Sequence, residues 1–355
     1  MRFEYGILVL SVALGACAAP ESPDAPDAEP AATIEWGMVM HGGAGTITPD
    51  NMTPELEAEY TAKMTEAMET GHAVLADGGS SLDAVIATIN ILEDSPLFNA
   101  GKGAVFTADG SNSMDASIMN GATGNAGAVA GVTTVKNPIT LARLVMDSSV
   151  HVLLSGNGAE EFARLQGVEM VSPEYFYTER RWQQLQEAQE EEAAGVEAEG
   201  SARDGTPPSS HDGYGTISKY GTVGVVALDR NGDLAAGTST GGTTNKRWGR
   251  IGDSPIIGAG TFASGNCGVS STGTGEYFIR NVVAYDICAR MEYTGYTLAQ
   301  SAHAMIMEQL EAQAPNLGGI IALDGDGNVV TTFNTPGMYR GWIGADGVAH
   351  TAIYQ

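Results

Sequence analysis

Positive charge is scarce in this chain. Its 355 residues include 17 Lys and Arg against 43 Asp and Glu, which gives a formal net charge of -26 at pH 7. A protein that binds nucleic acid needs a basic surface to neutralise phosphates, and so few cations do not readily provide one. We therefore expect no nucleic-acid partner, and the excess of acidic residues favours solubility instead.

Long apolar runs are also missing. The run near the amino terminus, residues 5–16, is too short to span a bilayer. It ends in Leu-Gly-Ala before Cys17, similar to a bacterial lipobox, in which cleavage before the cysteine leaves that residue lipid-modified. We therefore predict a signal peptide over residues 1–16, a lipid anchor at Cys17 and a proline-rich tether over residues 17–35. The protein would be an exported periplasmic lipoprotein; an ordinary secretory signal is the alternative.

Cysteine is equally rare. Besides Cys17 there are only Cys267 and Cys288. These two could pair in an oxidising compartment, but spacing alone does not establish a disulfide, so the pairing stays open. Glycine, by contrast, is abundant, and its 47 residues indicate many tight turns and close approaches of the backbone. With 43% hydrophobic residues, the chain can form one large domain or two small ones.

An acidic segment ends abruptly at a short apolar strand. Residues 180–220 are rich in glutamate and then in glycine, proline and serine. Such a composition buries too little apolar surface to offset the entropy of ordering, which predicts a mobile linker after a frayed helix. The β-branched run that follows, residues 222–228, leads into the turn signal Asn231-Gly232 and predicts a strand.

The bond between Gly221 and Thr222 lies at this boundary. If it were cut, Thr222 would hold a nucleophile and a base in one residue, because the freed α-amine can deprotonate the hydroxyl. An α-amine has a pKa of about 7.7 to 8.0, so a useful neutral fraction exists near neutral pH. Gly221 lacks a Cβ and can adopt the strained backbone that attack by the neighbouring hydroxyl requires. The boundary predicts a self-cleaving hydrolase; the plainer interpretation is a linker before an ordinary strand.

Several longer motifs follow in order from about residue 36 onward. They are H-G-G-A-G at residues 41–45, P-L-F-N-A-G at 96–101, G-T-V-G-V-V-A-L-D at 221–229, L-A-A-G-T-S-T-G-G at 234–242, N-K at 245–246, G-R-I-G-D-S-P at 249–255, G-A-G at 258–260 and T-G-T-G-E at 272–276. Together they closely resemble the plant-type asparaginase family, also called isoaspartyl peptidases. Such a series is far more specific than any single short pattern.

The resemblance implies an α+β fold, the four-layer αββα sandwich of N-terminal-nucleophile hydrolases. The chain would mature into an α subunit, residues 36–221, and a β subunit, residues 222–355, which form one catalytic domain and pair as (αβ)2. Periodicity predicts strands over residues 36–40, 105–107, 117–119, 129–135, 222–228, 234–238, 320–323 and 329–333, helices over 54–75, 81–92, 276–291 and 298–311, and turns at 41–43 and 109–110. Three pairs of these strands predict hairpins: 105–107 with 117–119, 222–228 with 234–238, and 320–323 with 329–333.

The resemblance also assigns catalytic roles. Thr222 would be the nucleophile, first in cleavage of its own chain and then in turnover, and Thr240 would hold its hydroxyl by a hydrogen bond. Thr272 and the amide of Gly273 would form the oxyanion hole, a kind of contact that typically contributes a few kcal/mol per donor. Asn99 would lie close to the same site. Without the motifs, Thr240 and Thr272 would be interpreted as routine strand residues.

A head-group site for an amino acid is implied as well. Arg250 would clamp the free α-carboxylate, since its planar fork binds carboxylates through two hydrogen bonds, and Asp253 would accept the α-ammonium. Gly275 would line the same site. Alternatively, Arg250 and Asp253 could form a surface salt bridge of little energetic value. The expected substrates are L-asparagine and β-aspartyl dipeptides, hydrolysed through an ester on Thr222.

No organic cofactor is implied, but one metal is. The loop at residues 92–102 resembles the family's loop whose backbone carbonyls hold a structural sodium ion. The matching residues are Leu92, Glu93, Ser95, Phe98, Ala100 and Lys102. Lys102 departs from the expected apolar residue, and its ammonium could compete with the ion. Residues 324–328 resemble a calcium loop, but they lack its central glycine and distal glutamate, which favours a hairpin turn.

Three other interpretations remain. A glycosylasparaginase is the nearest, although the first motif and the glycine doublet at residues 241–242 look like the asparaginase branch. A serine hydrolase is a second, because a G-x-S-x-G pattern centres on Ser239, with Asp253 and His303 or His350 in a permitted order. That pattern needs a helix directly after it, which residues 243–252 do not predict. The third is a non-catalytic surface lipoprotein, whose chain would stay uncut.

Overall fold

Strands and helices alternate along the chain, and the predicted α+β class is confirmed. The computed structural model describes residues 28–200 and 221–355. The strands there are β1 Ala32–Thr33, β2 Gly37–Gly45, β3 Met114–Asn120, β4 Ala126–Val132, β5 Leu153–Ser155, β6 Val223–Leu228, β7 Leu234–Thr240, β8 Thr261–Ala263, β9 Cys267–Gly273, β10 Gly318–Asp324, β11 Asn328–Phe333, β12 Gly337–Gly344 and β13 Ala349–Tyr354. The helices are α1 Pro54–Ala76, α2 Ser81–Glu93, α3 Pro138–Ser148, α4 Gly156–Leu165, α5 Glu179–Gly200, α6 Gly275–Asn281, α7 Val283–Thr294 and α8 Leu298–His303, which a π-helical turn, Ala304–Leu310, extends.

The strands form two sheets. The larger sheet has the order β13-β12-β2-β6-β7-β3-β4-β5, and the smaller has the order β1-β11-β10-β9-β8. Neighbouring strands are antiparallel except for β4 and β5. The strand that follows the Gly221–Thr222 bond, β6, lies inside the larger sheet between β2 and β7. The start of β6 is therefore flanked by strands from both halves of the sequence.

Three apolar clusters join these elements. The first contains side chains of α1, α2 and α3 with one face of the larger sheet, including Val223 and Val225. The second contains side chains of α7 and α8 with the smaller sheet. The third contains side chains of both sheets, among them Val226 and Leu228 of β6 and Ile321 of β10. Because successive strand residues point to opposite faces, the apolar run of β6 buries both of its faces.

Two predicted hairpins are confirmed. β6 and β7 pair from Val223 with Ser239 through to their turn, where the Asp229 carboxylate accepts hydrogen bonds from two backbone amides. β10 and β11 pair in the same manner. Their turn is closed by Asp324, whose Oδ1 accepts hydrogen bonds from the amides of Asp326 and Asn328 at 3.1 and 2.8 Å. The loop that resembles a calcium site is thus the expected hairpin turn.

Two local predictions are wrong. Residues 105–107 do not pair with β3, which lies between β4 and β7. They make only an isolated bridge from Phe106 to Asn112, because the Thr107 hydroxyl and the Asp109 carboxylate close a local turn. The turn predicted at residues 41–43 lies inside β2, since the register between β2 and β12 shifts by one residue at Gly42 and the pairing then continues.

The acidic segment begins as a helix, in agreement with the frayed helix predicted before the linker. α5 is held by its first two turns, in which Arg181 and Leu185 are buried and the Trp182 ring packs edge-on against Phe106. These few tertiary contacts stabilise the helix, as packing usually does for a helix with little intrinsic preference. The rest of the predicted linker, residues 201–220, lies outside the described residues.

The two cysteines of the carboxyl-terminal half are paired. Cys267 at the start of β9 and Cys288 in α7 form a disulfide, with their Cα atoms 5.7 Å apart. This separation lies within the usual range for a disulfide. The question that the spacing left open is thereby answered, and the bond ties a strand of the smaller sheet to its covering helix.

Candidate active site

The hydroxyl of Thr222 faces that of Thr240. The register of the β6–β7 hairpin pairs Val223 with Ser239, so Thr222 comes opposite Thr240 one step further along. The two Oγ1 atoms are 2.9 Å apart. Thr240 Oγ1 also accepts a hydrogen bond from the Gly242 amide at 2.9 Å. The structure thus brings together the two threonines that the sequence proposed as nucleophile and partner.

The carbonyl of Gly221 is held on the other side of the bond. Its oxygen accepts a hydrogen bond from the Asn99 amide at 2.8 Å. Gly221 has a φ of 109°, where side chains are strained, and a Cβ on it would lie 2.6 Å from Asn99 N. A Cβ on Gly43 would lie only 2.3 Å from the Gly221 Cα. Both glycines are therefore required by the close approach of three backbone segments.

The side chain of Asn99 links this carbonyl to the turn after β7. Its Nδ2 donates to the Gly242 carbonyl at 2.7 Å, and its Oδ1 accepts from the Val105 amide at 2.9 Å. Its own carbonyl accepts from the Gly241 amide at 2.9 Å. Asn99 is buried, and both its side chain and its backbone are hydrogen-bonded. It lies beside the Gly221–Thr222 bond.

His41 is a site residue that the sequence reasoning did not single out. Its Nδ1 lies 3.0 Å from the Thr222 carbonyl oxygen, and its Nε2 lies 3.0 Å from Ser270 Oγ. Burial lowers the pKa of His41 to about 3, although the hydrogen bond with Thr222 opposes that shift. The imidazole is therefore neutral at physiological pH. The signal was present, because His41 begins the first family motif.

The predicted oxyanion residues end β9 in the other sheet. The Ala44 amide donates to Thr272 Oγ1 at 3.3 Å, and Ala44 directly follows the Gly43 that touches Gly221. Gly273 packs closely on the neighbouring strand, since a Cβ there would lie 2.3 Å from the Leu317 carbonyl oxygen. Residues 41–45 therefore connect the end of the smaller sheet with the Gly221–Thr222 bond.

The predicted head-group residues do not pair with each other. Instead, Arg250 donates through Nε and Nη2 to the Glu276 carboxylate, both at 3.0 Å. Asp253 is buried, and its Oδ2 has no hydrogen-bond partner among the described residues. Burial raises the pKa of Asp253 to about 7, against the attraction of Arg250. The surface salt bridge considered for Arg250 and Asp253 is wrong, and Glu276 is a neighbour that the sequence reasoning missed.

Gly275 leaves space between these two charged groups. A Cβ on Gly275 would lie 2.8 Å from Arg250 Nη2 and 2.9 Å from Asp253 Oδ1. A side chain there would force both groups to shift. The structure therefore brings all three predicted head-group residues together, with the guanidinium and the carboxylate on two sides of one space.

A cavity of about 500 Å³ opens beside Arg250, and its lining includes Lys246, Ser113 and Arg247. Lys246 Nζ donates to the Ser113 carbonyl at 2.7 Å and lies 3.9 Å from the Asp115 carboxylate. Burial lowers the pKa of Lys246 and raises that of Asp115, while their mutual attraction opposes both shifts. Cationic groups, those of Lys246, Arg247 and Arg250, therefore line this cavity.

The predicted metal loop turns carbonyl oxygens toward its own glycines. A Cβ on Gly101 would lie 2.3 Å from the Glu93 carbonyl oxygen, and a Cβ on Gly103 would lie 1.9 Å from that of Phe98. The carbonyls of Leu92 and Ala100 accept amides of the same loop, and Ser95 Oγ accepts the Leu97 amide. No group of three His, Cys, Asp or Glu side chains that could hold a metal occurs in residues 28–200 and 221–355.

Two cations flank this loop. Lys102 Nζ lies 5.2 Å from the centre of the Tyr175 ring, so a cation–π contact occupies the ammonium. The buried guanidinium of Arg181 donates to the carbonyls of Gly103 and Leu97 at 2.8 and 3.4 Å. Burial lowers the pKa of Arg181 to about 10, which leaves it charged. Arg181 thus ties α5 to the loop that carries Asn99.

The serine-hydrolase interpretation is wrong. Ser239 is fully buried and donates to Glu93 Oε1 at 2.6 Å, and no helix follows β7 directly. His350 lies in β13, four strands from β7, which is about 19 Å at the usual strand spacing. His303 ends α8, a helix of the second apolar cluster beyond the smaller sheet. Neither histidine reaches Ser239.

Comparison with known proteins identifies the family of this chain. A model of the asparaginase family matches residues 34–353, and the chain belongs to that family. An isoaspartyl peptidase of Escherichia coli is 47% identical over 319 residues, covering 90% of this chain and 96% of the relative. A probable isoaspartyl peptidase/L-asparaginase of Arabidopsis thaliana is 44% identical and covers 90% and 99%. A plant-type L-asparaginase of Pyrococcus furiosus is 40% identical and covers 85% and 94%.

The prediction of a signal peptide and a lipid anchor needs correction. The family match covers residues 34–353 and so does not include this segment. No helix among the described residues is long and apolar enough to cross a membrane. Residues 1–27, including Cys17, lie outside the described residues. The findings give the leader and the lipoprotein no support, so we do not retain them, and the export inferred from them is untested.

Proposed function

We propose that this protein is a self-activating threonine hydrolase that cleaves β-aspartyl dipeptides and hydrolyses L-asparagine. The observation that carries the proposal is the arrangement at the Gly221–Thr222 bond, where the Thr222 hydroxyl and the Gly221 carbonyl are each held by a hydrogen bond. The names of the relatives, isoaspartyl peptidase and L-asparaginase, support the choice of substrates. They also favour this activity over that of a glycosylasparaginase.

In this proposal, the helices and sheets form the αββα sandwich of N-terminal-nucleophile hydrolases. The three apolar clusters support such layers, because α1–α3 pack on the larger sheet, α7 and α8 on the smaller, and the sheets on each other. An α chain ends at Gly221, a β chain covers residues 222–355, and two αβ units associate as (αβ)2.

Activation begins with attack of the Thr222 hydroxyl on the Gly221 carbonyl carbon. The C–N bond breaks as a C–O bond forms, the hydroxyl proton passes to the departing nitrogen, and an ester joins the two residues. Water then hydrolyses the ester to a carboxylate on Gly221 and a free amine on Thr222. The Asn99 amide, which donates to the Gly221 oxygen, stabilises the negative charge that develops there.

Turnover uses the new amine as the base. It takes the proton of the Thr222 hydroxyl, which attacks the side-chain carbonyl of the substrate and forms a β-aspartyl ester. Ammonia or an amino acid leaves with the transferred proton, and water hydrolyses the ester to release L-aspartate. Thr240 orients the nucleophilic oxygen, while Thr272 and the Gly273 amide hold the oxyanion.

The head group of the substrate occupies the space beside Gly275. Glu276 takes the Nε and Nη2 edge of Arg250, so the substrate α-carboxylate binds the remaining Nη1 side. The α-ammonium pairs with Asp253, whose Oδ2 lacks a hydrogen-bond partner among the described residues. A cation at this carboxylate offsets the cost of its burial.

The loop at residues 92–102 would hold a sodium ion. Backbone carbonyl oxygens are ligands suited to hard cations, and the glycines at 101 and 103 let the backbone of this loop approach the carbonyls of Glu93 and Phe98 closely. The side chain of Lys102 is held at Tyr175. A bound ion would stiffen the loop that carries Asn99, and no step of the reaction uses it.

Intact mass and amino-terminal sequencing of the purified protein test the proposal. We expect two chains, with Thr222 at the new amino terminus, and release of aspartate from a β-aspartyl dipeptide. Thr222→Ala should stay uncut and inactive, whereas Thr123→Ala, in an exposed turn, should be cut and active. A fully active uncut chain would refute the proposal, and preference for a glycosylated asparagine would favour a glycosylasparaginase.

A further inference from the structure

A line of polar side chains crosses the largely apolar space between the two sheets. It runs from Ser117 in β3 through Thr261 in β8, Thr238 in β7 and Ser270 in β9 to His41 in β2, and all five are fully buried. Successive atoms are 2.8, 2.5, 2.7 and 3.0 Å apart. The line ends 3.0 Å from His41 Nδ1, at the carbonyl oxygen of Thr222.

The last acceptor of the line, the Thr222 carbonyl oxygen, sets the direction of these hydrogen bonds. A carbonyl oxygen can only accept, so Nδ1 of His41 must carry the proton that it donates to Thr222. In a neutral imidazole the other nitrogen is then an acceptor, and Nε2 must receive the proton of Ser270.

The remaining hydroxyls follow from this one. Ser270 donates to His41, so its oxygen accepts from Thr238, which in turn accepts from Thr261. Other acceptors compete at the far end, since Thr238 lies 3.1 Å from the Gly260 carbonyl and Ser117 lies 2.6 Å from the Ser254 carbonyl. The distance from Thr238 to Ser270, 2.7 Å, is shorter than that from Thr238 to the Gly260 carbonyl, which favours donation to Ser270. Every proton from Thr261 onward thus points toward the nucleophile.

We propose that His41 is a positioning residue for the nucleophile, held by Ser270 in the tautomer that donates from Nδ1 to the Thr222 carbonyl. The inference rests on the proposed role of Thr222. With Asn99 on the preceding carbonyl and Thr240 on the hydroxyl, His41 completes the set of groups that orient Thr222. His41 contacts neither the hydroxyl nor the scissile carbonyl in the contacts of the described residues, so it acts through the backbone and takes no proton.

Two substitutions separate this role from simple packing. The amide nitrogen of an asparagine can stand at the place of Nδ1, whereas that of a glutamine reaches the place of Nε2. We therefore expect His41→Asn to retain self-cleavage and kcat within about tenfold of the natural protein, and His41→Gln to lose at least about tenfold more. KM should stay nearly constant in both, because His41 does not contact the head-group residues.

A packing role predicts the opposite order, since glutamine is closer to histidine in volume. Equal losses in the two variants, or a smaller loss for His41→Gln, would overturn the proposal. His151→Asn and His151→Gln change an exposed histidine and should both match the natural protein. Thermal unfolding of all four variants shows whether a loss of activity only reflects a loss of fold.

The tautomer can be measured without any assay of activity. In protein labelled with nitrogen-15 at histidine, the His41 ring signals, assigned by their loss in His41→Asn, should show a proton on Nδ1 at neutral pH. A proton on Nε2 would overturn the inference, even if Thr222 were the nucleophile. An active uncut Thr222→Ala variant would instead refute the proposed function and leave the measured tautomer standing.

Discussion

At the scale of single residues, Thr222 is held from three directions. Thr240 of β7 contacts its hydroxyl, His41 of β2 contacts its carbonyl, and the Asn99 amide contacts the carbonyl before it. These contacts come from rigid strands and from one tightly hydrogen-bonded loop. A nucleophile whose rotamer and backbone are both fixed loses little entropy on the way to the transition state.

Removing the hydroxyl that faces Thr222 tests how much this orientation contributes. Thr240→Val keeps the shape of the side chain but cannot hold the nucleophilic oxygen or accept from the Gly242 amide. We expect the rates of self-cleavage and of turnover to fall about tenfold to a hundredfold, the effect of one lost hydrogen bond in a buried site. Thr331→Val, in β11 of the other sheet, is the control and should change neither rate, as measured by gel densitometry and by release of ammonia.

The pKa of Asp253 predicts how ligand binding depends on pH. Burial raises this pKa to about 7, so the carboxyl takes up a proton and loses its charge as the pH falls below 7. The affinity of the mature protein for L-aspartate should then weaken by up to about tenfold per pH unit. Calorimetry between pH 8 and 5 measures this change.

Succinate is the matched ligand for that experiment, because it lacks the α-ammonium. Its affinity should not weaken in the same way, and Asp253→Asn should bind L-aspartate weakly with little dependence on pH. Equal pH dependence for the two ligands would show that Asp253 does not contact the ammonium.

Much of the site at this scale could be predicted from the sequence. The motifs led to Thr222, Thr240 and Asn99, which the structure brings together at the Gly221–Thr222 bond. They did not show that Glu276 occupies one edge of Arg250, since that contact depends on a helix start and a loop that meet only in the fold. The neutral state of His41 was hidden for the same reason, because burial is a property of the packed sheets.

At the scale of elements, local patterns predicted hairpins well and connections poorly. In their turns, the carboxylates of Asp229 and Asp324 accept hydrogen bonds from backbone amides a few residues later. A few neighbouring residues are therefore sufficient to specify each turn. The predicted helix over residues 276–291 is broken at Val282, which has a φ of 49°. The amide of Val282 ends α6 by donating to the Ile279 carbonyl, and its own carbonyl accepts the amide of Asp286 in α7. Periodicity cannot reveal such a break.

Helix α5 makes tertiary contacts that composition does not reveal. Its glutamates favour solvent, yet Trp182 and the buried Arg181 anchor its beginning. Further along, Glu192 binds Arg247 through two hydrogen bonds of 2.6 and 2.7 Å. The helix therefore extends from the Asn99 loop to the rim of the cavity beside Arg250, which no periodicity of a single segment indicates.

The disulfide between β9 and α7 makes an element-scale prediction. Cys267 and Cys288 are 21 positions apart, and closing a loop of that size restricts the unfolded chain. Replacing both by alanine should lower the free energy of unfolding by about 3 kcal/mol, as measured by urea denaturation. A reductant should destabilise the natural protein by a similar amount and leave the double variant unchanged; an equal response of both proteins would contradict the prediction.

At the scale of the whole molecule, the two halves of the chain are interleaved. β2 comes from the part before Thr222 and lies between β12 and β6, which come from the part after it. In the smaller sheet, β1 pairs with β11 across the same division. The sequence could predict one catalytic domain made by both halves, but the order of its strands depends on long-range pairing that local patterns do not contain.

This interleaving predicts that cutting the Gly221–Thr222 bond does not divide the protein. Each chain alone would expose strand edges and the apolar faces of Val223 and Ile321 that now pack in the clusters. Native mass spectrometry of the cut protein should therefore detect both chains in one particle. Urea should unfold them in a single transition, followed by tryptophan fluorescence and by circular dichroism, at a midpoint close to that of uncut Thr222→Ala. Separate transitions, or an α chain that stays folded after removal of its partner, would contradict a shared core.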